Sequence, residues 1–226
     1  MHHLQAIILD FDGVIANTEP LHFEACRNLL APFGVTLTEE EYVDHYIGVA
    51  DRTALTNAGR AHGLEIDGAL LDELLSRKAE ILRDVLSRTR PMYPGVAELL
   101  RRWAADVPLA IASGARRGEI ELVLGVAGVT GAIRAIVSAD DGLRSKPAPD
   151  PYLKALALLE PHGGRLDPAR VVAIEDSRHG IKAARAAGMR TVAVTTSFPR
   201  SALGDADLVV DALPDVTLEM LDALCA

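Results

Sequence analysis

Five short apolar runs constrain this chain more than any other feature. Residues 6–9 followed by Phe11, then "PLAIASG" (108–114), "IRAIVSA" (133–139), "VVAIED" (171–176) and "TVAVTT" (191–196), are continuous rather than alternating in character. An alternating strand hides one face only, whereas a strand that is apolar throughout must be covered on both, as in a parallel sheet flanked by helices. Segments with helical spacing lie between the runs, at 96–103, 118–124, 151–159 and 178–187. The pattern predicts an α/β fold with a doubly wound parallel sheet.

Residues 17 to about 90 break this rhythm. Leu21, Ala25 and Leu29 share one helical face, and Leu70, Leu71, Leu74, Leu75, Ile81, Leu82 and Val85 form a second apolar stripe, with no convincing strand between them. The expected organisation is a catalytic core, residues 1–16 and 91–226, interrupted by an all-helical cap domain, residues 17–90. Tyr93, Pro94 and Gly95 mark the return to the core by their turn chemistry.

A chain of 226 residues, 49% hydrophobic, is long enough for such a core with a smaller companion. Its net charge of -9 disfavours nucleic acid and anionic membranes as partners, so an anionic ligand must be held by local positive charge or by a metal ion. Cys26 and Cys225 have no partner at metal-ligand spacing, and Cys26 reads as a small apolar side chain on a helix face. Strand-like sequence begins too early to leave room for a signal peptide, and no run approaches membrane-spanning length. A reduced, cytoplasmic, monomeric protein is expected. His2 and His3 are too few to form a metal site.

The first run poses the chemical question, because "QAIILDFDGVIANTEP" places two aspartates and a glycine at the end of an apolar strand. In open parallel sheets, ligands gather at the carboxyl ends of the strands. Those ends deliver Asp10 and Asp12, Ser113, Lys146 after the third run, and Glu175 with Asp176. Carboxylates, a hydroxyl and an ammonium together suit a phosphoryl group bound with Mg²⁺. An extended strand would point Asp10 and Asp12 the same way, one in line with phosphorus and one beside the leaving oxygen. Gly13 allows a sharp backbone turn there. No GxxxxGK[ST] occurs, which disfavours a nucleotide hydrolase of that kind.

"DFDGVIANTEP", "IASG", "SKPAPDPYL" and "IEDSRHGIKAARAAG" resemble, in order, the four motifs of the haloacid dehalogenase superfamily, in the branch holding β-phosphoglucomutase and many sugar-phosphate phosphatases. The resemblance implies a Rossmann-like core and a nucleophile, Asp10, that forms an aspartyl-phosphate. It implies that Asp12 serves as acid and base, that Ser113 and the amide of Gly114 hold the phosphoryl group, and that Lys146 offsets its charge. The metal would be held by Asp10, the carbonyl of Asp12, Asp176, and Glu175 directly or through water. Members of the branch also resemble this chain in a cap arginine like Arg52, a basic residue like Lys78 and a histidine like His22. These three are the candidate substrate contacts of the insert, and Arg116, just after "IASGA", is a further candidate phosphate grip.

Lys146 stands out, since the 23 basic residues include only four lysines; a compact ammonium fits among carboxylates and phosphate as a planar guanidinium does not. Lys78 lies on an apolar stripe, where it either snorkels to solvent or meets a substrate. Asp150 before Pro151, and Ser177, read as helix caps. The expected activity is hydrolysis of a small phosphate ester, with a phosphosugar mutase as the enzymatic alternative. A regulatory module that accepts phosphate without turnover is the other class, disfavoured by Asp12 and by the insert.

Overall fold

The computed structural model describes residues 3–47 and 49–226, and of residues 161–163 only the helical backbone. Met1, His2 and Gly48, the last inside the "IGVADR" stretch, lie outside the described residues. The chain divides into two compact units, Met1–Asn17 with Pro91–Ala226, and Thr18–Arg90.

The larger unit is built on one sheet of six strands: β1 (Ala6–Leu9), β2 (Leu109–Ala112), β3 (Ala135–Val137), β4 (Val171–Glu175), β5 (Arg190–Val194) and β6 (Leu208–Val210). All pairings are parallel and the spatial order is β3-β2-β1-β4-β5-β6. β1 pairs with β2 on one side and β4 on the other, Leu9 standing opposite both Ile111 and Ile174. The order reverses between β1 and β4. Connections on either side of that point leave the sheet in opposite directions, which opens a crevice at the carboxyl ends of these two strands.

All residues of β1, β2 and β4 are buried, as continuous apolar runs require. On one face Ala6 and Ile8 pack with Tyr152, Ala155 and Leu159 of α7 (Asp150–Gly163) and with Ala183 and Ala184 of α8 (Arg178–Ala186). The remaining helices of this unit are α5 (Val96–Asp106), α6 (Arg117–Val126) and α9 (Leu218–Leu224). α5 carries the chain's single tryptophan, Trp103, fully in the core. Gly95 begins α5 at a φ of 80°, a left-handed turn that a side chain would resist.

The smaller unit holds α1 (Glu19–Leu30), α2 (Glu39–His45), α3 (Asp51–Ala61) and α4 (Gly68–Arg88). The two sequence stripes meet here: Phe23, Cys26, Leu29 and Leu30 of α1 share a core with Leu71, Leu74 and Leu75 of α4 and with Leu55 and Ala58 of α3. Asp67 starts α4 by accepting from the amide of Leu70 at 2.8 Å, and Thr38 caps α2 through the amide of Glu41 at 3.2 Å. Among the described residues no helix is long and apolar enough to cross a membrane.

Two local expectations fail. β1 ends at Leu9, so Asp10 and Asp12 do not lie on a continuing strand. The backbone turns over residues 10–16, with the amides of Ile15 and Ala16 donating to the carbonyl of Phe11 and that of Gly13 to Ala16. Turn geometry rather than strand alternation therefore sets the direction of Asp12. Asp150 is not a cap either. It is the first residue of α7, and its carboxylate takes a two-point ion pair from Arg144, Nε and Nη2 each at 3.0 Å. Ser177 does cap α8, accepting from the amide of Gly180 at 3.1 Å.

Burial of β1 on both faces makes a stability prediction. Ile8→Ala should cost about 3 kcal/mol, the range for emptying a sealed aliphatic site, in urea unfolding followed by Trp103 fluorescence. A loss below about 1 kcal/mol would mean that the site is not closed on that face.

Candidate active site

β1 and β4 run side by side, with the amide of Asp10 donating to the carbonyl of Ile174 at 2.9 Å. That pairing brings Asp10, just past β1, beside Glu175 and Asp176 at the end of β4. These three carboxyl groups are buried and offer oxygens that all lie within 4.8 Å of one another. Lys146 arrives from the loop before α7 and bridges two of them, its Nζ at 3.1 Å from Asp10 Oδ1 and 2.6 Å from Glu175 Oε1. Ser113, one residue past β2, sits at the same end of the sheet, buried, its hydroxyl accepting from the amide of Ala115 at 3.1 Å. Gly114 is exposed beside it, and Arg116 stands at the start of α6. Asp12 lies in the turn after β1, half-buried.

The electrostatics follow from burial. Removal from water pushes the Asp10 carboxyl up to about 6, with repulsion from Glu175 adding and the Lys146 ammonium opposing. Asp176 is raised well above the usual carboxylate range by burial and by its two acidic neighbours, while a hydroxyl bond from Ser197 opposes. Burial works against the Lys146 ammonium, yet Asp10 and Glu175 hold its pKa above the ordinary lysine value. Three carboxylates around one ammonium leave a net negative charge in a dry place. A divalent cation with a preference for oxygen ligands fits that donor set, and the acidic side chains that could hold it are Asp10, Asp176 and Glu175.

Glu175 is the most enclosed of the three. Its Oε1 accepts from Lys146 and from the hydroxyl of Tyr152, each at 2.6 Å, and its Oε2 from Ser177 Oγ at 3.0 Å and the amides of Asp176 and Ser177 at 3.2 and 3.4 Å. A β-carbon at Gly180 would fall inside this carboxylate, so the glycine in the first turn of α8 is the space that Glu175 occupies. Gly13, at φ 74°, plays the same part for Asp176.

Tyr152, Gly180 and the pair Thr196 and Ser197 are absent from the residues read as functional in the sequence. Ser197 donates to the Asp176 carboxylate and Thr196 to the carbonyl of Gly13, so the loop after β5 braces both ends of the site. The only signal available was that this loop, "TTS", follows a buried strand at the chemical end of the sheet.

The other sequence candidates lie in the helical unit and form their own group. Lys78 does not snorkel. It is 1% exposed, its ammonium held by the Asp51 carboxylate and placed 3.1 Å from His22 Nδ1. Burial and the adjacent ammonium lower His22 to about 3, Asp51 opposing, so its ring is neutral. Because Lys78 donates to Nδ1, the ring proton sits on Nε2. Arg52 stays exposed and pairs with Asp72 at 2.8 Å.

Known proteins resemble this chain along nearly its whole length. Residues 7–194 match the family model described as haloacid dehalogenase-like hydrolase. The chain is 31% identical to a phosphorylated carbohydrates phosphatase of Thermotoga maritima, over 96% of this chain and 98% of that one. It is 30% identical to β-phosphoglucomutase of Bacillus subtilis, over 96% and 94%. A crystal structure of CbbY from Rhodobacter sphaeroides in complex with phosphate superposes with a TM-score of 0.81 at 26% identity, covering 93% and 95%.

The space at Gly180 is testable against its opposite. In a helix, glycine to alanine ordinarily stabilises by up to about 1 kcal/mol. Gly118→Ala, where nothing lies within 4 Å of the added carbon, should be neutral or stabilising in thermal unfolding. Gly180→Ala should reverse the sign and lower turnover at least tenfold, because Glu175 must leave its seat. Equal behaviour of the two variants would remove Gly180 from the site.

Proposed function

The chain belongs to the haloacid dehalogenase-like hydrolase family, and from that premise we propose that it is a Mg²⁺-dependent phosphatase of small phosphorylated metabolites, sugar phosphates above all. The observation that carries the proposal is the buried set Asp10, Glu175 and Asp176, with Lys146 between them, at the switch point of the sheet. It is matched to phosphoryl transfer because a phosphoryl group needs an anionic nucleophile and concentrated positive charge at the same point.

In this reading a carboxylate oxygen of Asp10 attacks phosphorus, and the bond to the leaving alcohol breaks as an aspartyl-phosphate forms. Asp12 gives the departing oxygen its proton, then takes one from the water that attacks the phosphoenzyme, releasing inorganic phosphate and restoring Asp10. Ser113 and the Gly114 amide receive the phosphoryl oxygens and Lys146 balances their charge. Asp10, Asp176 and the carbonyl of Asp12 would hold Mg²⁺, which would supply further positive charge against the phosphate. The five donors already on Glu175 favour a role for it through water rather than in direct ligation.

The helical unit is the proposed cap, selecting the substrate. Arg52 is its first contact residue because its guanidinium is exposed and can exchange Asp72 for a substrate anion; His22 offers Nε2–H, with Lys78 fixing its tautomer. Arg116 is kept as a further phosphate contact. The protein is proposed to act as a cytoplasmic monomer. Since one relative is named for a mutase and another for a phosphatase, transfer to a second sugar hydroxyl is the competing outcome.

Asp10→Asn should lower phosphate release from the best substrate by at least about 1,000-fold while the protein still folds cooperatively; near-normal turnover in purified variant would refute the nucleophile. Treatment with a chelator should silence the enzyme and Mg²⁺ restore it, and full activity after exhaustive chelation would remove the cation from the scheme. Hydrolysis and transfer separate when β-glucose 1-phosphate is supplied with a trace of glucose 1,6-bisphosphate. Phosphate release without isomerisation, on this or another sugar phosphate, is expected; rapid isomerisation with little free phosphate would make the protein a mutase.

A further inference from the structure

Tyr152 has no assigned part in the chemistry, yet it is fully buried and reaches the centre of the site. Its hydroxyl donates to Glu175 Oε1 at 2.6 Å, the same oxygen that accepts from Lys146 at 2.6 Å. Its ring lies beneath that ammonium, with Nζ 5.2 Å from the ring centroid. One side chain thus touches Lys146 twice, directly through its face and indirectly through the carboxylate they share.

From this geometry we propose that Tyr152 is a positioning residue for Lys146, fixing the ammonium between Asp10 and Glu175; the kinetic part of the inference rests on the phosphatase reading above. Lys146 ends a flexible four-carbon stem, and a point charge on such a stem needs external constraints to stay within hydrogen-bond reach of a reacting phosphoryl group. The hydroxyl of Tyr152 locks Oε1, one of its two anchors. The ring face attracts the ammonium from below. Tyr152 also follows Lys146 closely in the chain, in the first turn of α7, and the Arg144–Asp150 ion pair ties the intervening loop across its base. The lysine, its floor and the carboxylate bond are therefore delivered by one nine-residue segment, 144–152.

A packing role alone would make Tyr152 matter for stability and leave catalysis untouched in the folded fraction. A positioning role predicts coupling to Lys146. Tyr152→Phe keeps ring and volume but removes the hydroxyl, so kcat should fall about tenfold with KM changed less than about twofold. In a Lys146→Met background the same substitution should leave the residual kcat unchanged, because the group it positions is gone. A crystal structure of Tyr152→Phe should show the Lys146 ammonium displaced from Asp10 or split over two positions, a result independent of any turnover. Should Tyr152→Phe not accumulate as folded protein, 3-fluorotyrosine at position 152 reads the same contact, and its fluorine resonance should shift on Lys146→Met. Equal falls in kcat with and without Lys146, an unmoved ammonium in the crystal, or an unshifted resonance would overturn the proposal. Absence of phosphate-ester turnover in the unmodified protein, with the ammonium still displaced in Tyr152→Phe, would instead reject the phosphatase reading and leave the positioning role standing.

Discussion

Three carboxylates and one ammonium share a volume a few ångströms across at the end of a buried sheet, and the rest of the core exists to keep them there. With carboxyl oxygens within 4.8 Å of one another, each pair of ionised carboxylates would oppose the arrangement by roughly 3 kcal/mol at an effective dielectric near 20, which, after burial, is why Asp10 and Asp176 hold their protons more tightly than free carboxyls. Lys146 recovers part of that, and the donors on Glu175 and Asp176 recover more. What remains is a site that gains from any further positive charge and from a partner that shares it. Such a cluster could not form on mobile loops. It needs β1 and β4 in fixed register, both sealed on two faces, so that Asp10 and Glu175 emerge side by side.

Much of this was legible in the sequence because burial on both faces leaves a strong mark. Continuous apolar runs identified five of the six strands, the edge strand β3 among them, and asking what each delivers at its carboxyl end gave Asp10, Ser113, Lys146, Glu175 and Asp176. The sixth strand, Leu208–Val210, was not found: its three apolar residues stand between Asp207 and Asp211, too short a run to read as a strand, whereas the equally short edge strand β3 lies inside the longer run "IRAIVSA". Tyr152 was hidden for a related reason. On the helix stripe of α7 it reads as a large core residue, and only the geometry reveals that its hydroxyl meets Glu175. Gly180 offered no signal either, because a glycine in a helix reads as a weakness until the group filling its space is seen.

The helical unit shows where pattern and chemistry part. From the sequence, Lys78 on the apolar stripe of α4 either snorkelled to solvent or met a substrate; in the structure it is buried with the stripe. A buried ammonium is sustainable only with a partner, and Asp51 from the start of α3 is that partner. The sequence could show that Lys78 was out of place, but not which acid neutralises it, since the two lie 27 positions apart. Asp51 precedes Arg52, so the exposed guanidinium and the buried ion pair are mechanically linked through adjacent backbone at the start of one helix.

If Asp10 itself carries the phosphoryl group between substrate and water, the stereochemical course at phosphorus records it. A phosphate ester made chiral with sulfur and oxygen isotopes passes through two in-line displacements if Asp10 is the nucleophile, each inverting the centre. Net retention of configuration is expected in the released thiophosphate. Inversion would mean that water attacks the substrate in one step, and would contradict the covalent role assigned to Asp10.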